Sequence, residues 1–250
     1  MVSKAKIKWV HSLERKKNRD QEQLFVAEGN KLVSELIGTL KCEWMLAEPS
    51  WMATQGDLPA GELVVAGEGD IRKVSLMKSP QQVVAVFRRP APCPDDAVWA
   101  DGLVLALDGV QDPGNLGTIL RLADWFGIEH VVCSPDSADA FGPKTVQATM
   151  GALARVNVHY AELETFLKDR PAPRYGAFTE GDSLYESPLT FGGVLVVGNE
   201  GNGIRPSVEA LVDRRLRIPP WPASRTGAES LNVAVATAIL CAEFRRQQTR

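Results

Sequence analysis

Apolar and polar positions follow two rhythms along this chain. After residue 100, apolar runs at Leu103 to Leu107, His130 to Cys133, Val156 to Val158, Tyr175 to Phe178, Val194 to Val197 and Leu216 to Ile218 alternate with segments of helical spacing. Short unbroken runs are how strands buried on both faces read, and their alternation with helices predicts a mostly parallel sheet covered on both sides. The helix after Asp112-Pro-Gly-Asn115 gathers Leu116, Ile119, Leu120, Ala123 and Phe126 into one stripe, with Arg121 on the opposite side. The last helix, from about Leu231 to Arg246, is apolar over most of its surface. That pattern predicts deep packing or contact with a second subunit.

The front of the chain reads differently. Gln81 to Phe87 is a buried strand, and Arg88-Arg-Pro-Ala-Pro-Cys-Pro-Asp-Asp96 is dense in proline and charge, as a linker is. Ahead of it, Leu24-Phe-Val-Ala27 leads to Asn30, expected to cap a helix with Leu32, Val33, Leu36, Ile37 and Leu40 on one side. Short strands near Trp44 and at Leu63 to Ala66 complete a small α/β unit. The fold class is therefore α/β, partitioned into 1–90, a linker 91–99, and a larger domain 100–250. No internal repeat or low-complexity tract appears.

With 250 residues, 44% of them apolar, the chain can build a proper core. Neither a bilayer-spanning run nor a signal peptide is visible, so a cytoplasmic protein with no membrane partner is expected. Cys42, Cys93, Cys133 and Cys241 form no C-x-x-C pair, which suggests neither a disulfide framework nor a metal site. The net charge of −3 argues weakly against a nucleic-acid partner. Against that average, Lys4, Lys6, Lys8, Arg15, Lys16, Lys17 and Arg19 crowd the first twenty positions beside only Glu14 and Asp20. Such density suits phosphate contacts, and a solvated face is an equal alternative.

The chemistry concentrates in three places. Val194-Leu-Val-Val-Gly-Asn-Glu-Gly-Asn-Gly-Ile204 is an apolar run ending in a glycine-rich turn with one acid, Glu200, suited to presenting backbone N–H groups and a carboxylate at a strand's carboxyl end. It is neither a Walker loop nor a dinucleotide fingerprint. Asn115 and Arg121 border the start of a helix. A capping asparagine and an exposed arginine paired with Asp124 would explain them without function. Ser230 and Asn232 open the last helix, where Ser230 could simply be its cap. No G-x-S-x-G elbow is present, and His11, His130 and His159 stand in no triad relation to a serine; His130 and Cys133 read as core.

Taken in order, Asn115-x-Gly-x-x-x-Arg121, Leu195-Val-Val-Gly-Asn-Glu-Gly-x-Gly203, and Arg217-Ile-Pro219 leading to Glu229-Ser-Leu-Asn-Val-Ala-Val-Ala236 resemble the three motifs of the SpoU/TrmH family, RNA ribose 2′-O-methyltransferases of the SPOUT superfamily. Leu24-Phe-Val-Ala-Glu-Gly-Asn-Lys31, with the basic segment before it, resembles the family's substrate-binding module, a small ribosomal-protein-like α/β RNA-binding domain. The resemblance implies a carboxy-terminal SPOUT domain with a deep trefoil knot, an exception to the rule against threading. It also implies S-adenosyl-methionine as cofactor, held near Thr179, Gly198, Asn199, Gly203, Ile218 and Leu231. Catalytic roles would fall to Arg121, Asn115, Glu200, Ser230 and Asn232, in a homodimer with the active site at the subunit boundary and no metal. The substrate would be structured RNA, ribosomal RNA being favoured over transfer RNA.

One departure is visible: the compact turn after Ile-Pro is lengthened to Pro220-Trp-Pro-Ala-Ser-Arg-Thr-Gly227. Trp221 and Arg225 could meet RNA, but Trp221 as an anchor of the loop is the favoured reading. The family proposal makes Arg121 a general base. A guanidinium titrates above about pH 12, so bringing one near 8 costs roughly 6 kcal/mol. A charged arginine that binds substrate phosphate and polarises the hydroxyl needs no such shift.

Overall fold

A computed structural model describes residues 2–67, 69–90, 102–170, 173–222 and 229–248. The expected linker 91–99, Cys93 and Arg225 lie outside the described residues. The chain divides into two compact units, Met1–Ala91 with Asp139–Ala154, and Pro92–Ala138 with Arg155–Arg250.

The first unit runs α1 (Lys4–Ser12), α2 (Lys16–Glu22), β1 (Leu24–Glu28), α3 (Asn30–Leu36), β2 (Cys42–Ala47), α4 (Pro49–Met52), β3 (Leu63–Val65), α5 (Asp70–Val74) and β4 (Val83–Arg88). Its described strands form one sheet, ordered β1-β4-β2-β3, with β4 antiparallel to both neighbours and β3 parallel to β2. Strand periodicity sends Leu24 and Val26 to one face, into a core with Val10 and Leu13 of the first helix and Ile71 and Val74 of α5. Phe25, on the other face, stacks on Phe87 at 5.9 Å and meets Phe141 at 5.4 Å.

The larger domain expected over 100–250 gives up one segment, because Asp139–Ala154 belongs to this first unit. Arg19 explains part of that return: its guanidinium donates to Asp139 Oδ2 at 2.6 and 3.1 Å and to the carbonyls of Leu13 and Glu14 at 2.7 Å each. Gln147 Nε2 donates to the Glu28 carbonyl at 2.7 Å, covering the edge strand β1. Asn30 is not a cap: Gly29 holds that position with φ +102°, and Asn30 opens the helix and bonds Gln82.

The second unit begins with β5 (Leu103–Asp108), α6 (Pro113–Trp125) and β6 (His130–Cys133). The chain then contributes α7 (Pro143–Thr149) to the first unit, and resumes with β7 (Asn157–Tyr160), α8 (Leu163–Lys168), β8 (Arg174–Phe178), β9 (Asp182–Ser183), β10 (Gly193–Gly198), α9 (Pro206–Glu209), β11 (Arg214–Arg217) and α10 (Val233–Gln248). The described strands form a wholly parallel sheet, ordered β7-β6-β5-β10-β8-β11-β9. One face packs Val104, Ala106, Val194 and Val196 against Leu163, Phe166 and Leu167 of α8 and Val208 of α9. On α6 and α10, which pack together, the buried residues are Leu116, Ile119, Leu120 and Ala123, and Val233, Thr237, Leu240, Cys241 and Phe244. Both sets recur at helical spacing, so each helix buries one stripe and leaves the other open.

Candidate active site

Parallel strands deliver their carboxyl ends to one edge, and three neighbouring strands do so here. Thr179 follows the end of β8, Gly198 ends β10 and Ile218 follows β11, with the order β10-β8-β11 setting the three expected cofactor positions side by side. Thr179 and Leu231 are exposed and Ile218 is half-buried.

The glycine turn after β10 is held by its own bonds. Asn199 and Gly203 exchange two backbone hydrogen bonds at 3.0 and 2.9 Å. Asn199 Oδ1 accepts from the Gly201 and Asn202 amides at 2.9 and 3.1 Å, while Nδ2 donates to the Gly109 carbonyl at 2.8 Å. Asn199 and Gly203, expected to contact cofactor, thus use these groups to shape the turn. Gly203 has φ +68°, and a Cβ on Gly198 would fall inside the backbone of Gly203 and Ile204, so both positions require glycine.

The helix α6 is capped by Asp112, whose Oδ1 accepts from the Asn115 amide at 2.8 Å. Asn115 is therefore not the cap, and its side chain is released for another use. Its Nδ2 donates to Glu200 Oε1 at 2.5 Å, and its Oδ1 accepts from Asn232 Nδ2 at 3.1 Å. Asn232 Oδ1 in turn accepts from the Ala234 and Val235 amides at 3.0 and 3.3 Å, capping α10. The N–H groups of that helix end fix which way both amides point, so a donor faces the Glu200 carboxylate. Among the described residues Glu200 Oε2 has no partner. Ser230, expected as a site residue with capping as the alternative, is exposed and takes no part in this chain of bonds.

Arg121 is exposed and has no partner among the described residues. The bland pairing with Asp124 does not form, because Asp124 takes the Arg155 fork at 2.8 Å on each oxygen. Six residues along a helix rotate a side chain by about 120° off alignment, so Arg121 points away from the Asn115 cluster of its own chain. Trp125, four residues on, shares its face and is 84% exposed. Trp221, favoured as a loop anchor, is 86% exposed.

Asp108, Asp136 and Arg205 are residues that motif reading passed over. Asp108 ends β5 almost fully buried, at 1% exposure, and receives Arg205 N at 2.7 Å and Nε at 2.6 Å. The hydrogen bond to Asp108 raises Arg205 above the ordinary arginine value. Asp136 is held below the usual carboxylate range by Ser134 and then by Arg205. No periodicity marks these three; only an acid ending a buried strand hints at a partner.

Of the basic amino-terminal candidates, Lys4, Lys8, Arg15 and Lys17 are exposed with unpaired side chains among the described residues. Lys6 pairs with Glu62 at 2.7 Å and lies over Trp9, and Lys16 pairs with Asp20 at 2.8 Å. Arg19 must be withdrawn as a phosphate contact, since it is 3% exposed and saturated by Asp139 and two carbonyls. Packing of α1 on α5, with His11 Nε2 3.1 Å from the Lys73 carbonyl, adds exposed Arg72 to the same region.

Burial pushes the thiols of Cys42 and Cys241 up to about 11 and about 12 and that of Cys133 higher still, leaving no activated cysteine among them. Among the described residues no group of three or more His, Cys, Asp or Glu is placed to hold a metal, and no helix is long and apolar enough to cross a membrane.

Comparison with known proteins agrees with this geometry. Residues 102–242 match the SpoU rRNA methylase family, and residues 4–85 match an MRM3-like substrate binding domain. The chain is 33% identical to the 23S rRNA (guanosine(2553)-2′-O)-methyltransferase RlmP of Bacillus subtilis over 96% of both chains. A Porphyromonas gingivalis structure described as an RNA methyltransferase of the TrmH family is 45% identical, with a TM-score of 0.87 over 99% of each chain. An AdoMet-bound rRNA methyltransferase from Sinorhizobium meliloti is 30% identical, with a TM-score of 0.82 over 98% of this chain and 97% of that one. With its motifs drawn into one cluster at the carboxyl edge of a parallel sheet, the chain belongs to the SpoU rRNA methylase family of RNA methyltransferases.

Proposed function

We propose that this protein transfers a methyl group from S-adenosyl-methionine to a ribose 2′-hydroxyl of structured ribosomal RNA. The observation that carries the reading is the bonded chain Glu200–Asn115–Asn232, which joins the three motif segments at one place. The activity of the Bacillus subtilis relative on 23S rRNA supports ribosomal RNA as substrate, and the AdoMet-bound Sinorhizobium meliloti relative supports the cofactor.

The residues fit that cofactor. Gly198, Gly201 and Gly203 carry no side chain into the turn, Thr179 and Ile218 follow the adjoining strand ends, and Leu231 is exposed next to Asn232. Bound there, S-adenosyl-methionine supplies an electrophilic methyl carbon. What remains for the protein is to orient the ribose and handle the hydroxyl proton. Asn115 fixes the Glu200 carboxylate, whose second oxygen accepts a hydrogen bond from the ribose 2′-hydroxyl and takes its proton as the methyl group is transferred. Positioning of this kind supplies several kcal/mol of the barrier reduction. Arg121, kept charged, binds the adjacent phosphate and polarises the hydroxyl, as a guanidinium does without deprotonation. Ser230 lines the pocket at the entry to α10.

Arg121 serves a second copy of the chain, because its helix turns it away from its own Asn115. A homodimer burying the side of α6 and α10 that bears Trp125 and half-exposed Val235 would cover apolar surface and complete each site. The family's trefoil knot is part of this reading. The amino-terminal unit captures RNA through Lys4, Lys8, Arg15, Lys17 and Arg72, with Lys6 and Lys16 released from their surface pairs; phosphates give affinity and RNA shape gives choice. Incubation with S-adenosyl-methionine and ribosomal RNA from cells lacking the gene should add one mapped 2′-O-methyl group. Normal cofactor binding without any added ribose methylation would refute the reading.

A further inference from the structure

We infer that Arg205 is a positioning residue, a clamp that sets the glycine turn and Glu200 for cofactor binding; the inference rests on the function proposed above. The turn leaves the sheet at Gly198 and ends at the buried Ile204, so its shape depends on how both ends are held. Gly198 lies beside Asp108 in the strand register of β10 and β5. At the far end, Asp108 Oδ2 accepts the Arg205 backbone N–H at 2.7 Å and Oδ1 accepts Arg205 Nε at 2.6 Å, with Nη2 also paired to Oδ1. One buried carboxylate thus holds the residue that follows the turn while its own backbone stands beside the first. The next residue, Gly109, accepts from Asn199 Nδ2 inside the turn.

Arg205 reaches a second acid as well. Its Nη2 donates to Asp136 Oδ1 at 3.1 Å, so a guanidinium fork spans two carboxylates that a lysine could satisfy only one at a time. Asp108 is too deeply buried for water to replace the lost donors. Without the fork Asp108 keeps only the backbone N–H of residue 205, and the turn that carries Glu200 to Asn115 loses the side-chain half of its far attachment.

The test compares Arg205→Ala, Arg205→Lys and Asp136→Asn with the unaltered full chain. Cofactor affinity is read by calorimetry, RNA affinity by filter binding, and amide hydrogen exchange of residues 199–205 without cofactor by mass spectrometry. Arg205→Ala should weaken S-adenosyl-methionine binding at least tenfold and speed exchange in the turn, with RNA affinity within twofold. Arg205→Lys should fall between, and Asp136→Asn should lose less than either. Cofactor affinity within twofold of the unaltered protein in Arg205→Ala would overturn the inference. Equal loss of both affinities in Arg205→Lys, with faster exchange across the whole parallel sheet, would overturn it too, as the mark of a merely structural arginine. Failure of the unaltered protein to methylate RNA would refute the function instead, since the exchange measurement needs neither substrate nor cofactor.

Discussion

Arg19 in the first unit and Arg121 in the second show how little residue type says about role. Both sit in helices and both were candidates for touching RNA, yet Arg19 is buried with its guanidinium engaged by Asp139 and two carbonyls, and Arg121 is exposed with no partner among the described residues. The first unit uses its arginine to tie Asp139 to the Leu13 and Glu14 carbonyls, and the RNA contacts proposed for it fall on exposed lysines and Arg72. The carboxyl edge of the second unit does the reverse, fixing its small polar groups by hydrogen bonds and leaving one charge free. Binding by summed charge tolerates imprecision. Chemistry at one oxygen does not.

The sharpest way to break that contrast is to swap Arg121 for another cation. Arg121→Lys keeps the charge but loses the planar fork, and methyl transfer should fall by about 10²–10³, the scale of a lost transition-state donor. Cofactor affinity should stay within twofold in the same calorimetric titration, and equal loss of both would remove Arg121 from the chemistry. Next in size, Arg19→Ala strands Asp139 and two carbonyls and should cost about 3–5 kcal/mol in denaturant unfolding. The slope of RNA affinity against salt should not change, because a buried arginine releases no counterion.

Charge reversal at Lys4, Lys8 and Arg72 should do the opposite. Affinity for ribosomal RNA should drop and the log–log salt slope shrink by about one unit for each phosphate that is no longer neutralised, with unfolding unaffected. An unchanged slope would move the RNA face elsewhere. The smallest effect is expected at Trp221. Replacing an indole that is 86% exposed should leave stability within about 0.5 kcal/mol. If it stacks on a base, RNA binding should weaken by about 1–3 kcal/mol.

Much of the fold was legible because burial leaves a mark on sequence. Every apolar run after residue 100 became a strand, from Leu103–Asp108 to Arg214–Arg217, and the stripe on α6 is buried where periodicity put it. The two-residue strand β9 was not legible, being too short to carry a pattern. One expected cap, Asn30, and two open alternatives, Asn115 and Ser230, lost the helix starts for one reason. Gly29, Asp112 and Asn232 hold the helix starts, where Asn30, Asn115 and Ser230 looked equally suited. A cap is chosen by local φ and ψ and by what else its side chain can reach. Asn115 is free for Glu200 only because Asp112 does the capping.

The chain's own order of residues determined the strands, the parallel sheet and the glycine-bearing turn, since each follows from local spacing or from the demands of a tight backbone, while Asn115, Glu200 and Asn232 were singled out by their resemblance to the SpoU/TrmH motifs. Only the tertiary structure decided that these three meet, that Arg19 is buried, and that Asp108 and Arg205 close the turn. Those facts depend on contacts between residues far apart in sequence, where strand order and packing set the distances and no local pattern records them.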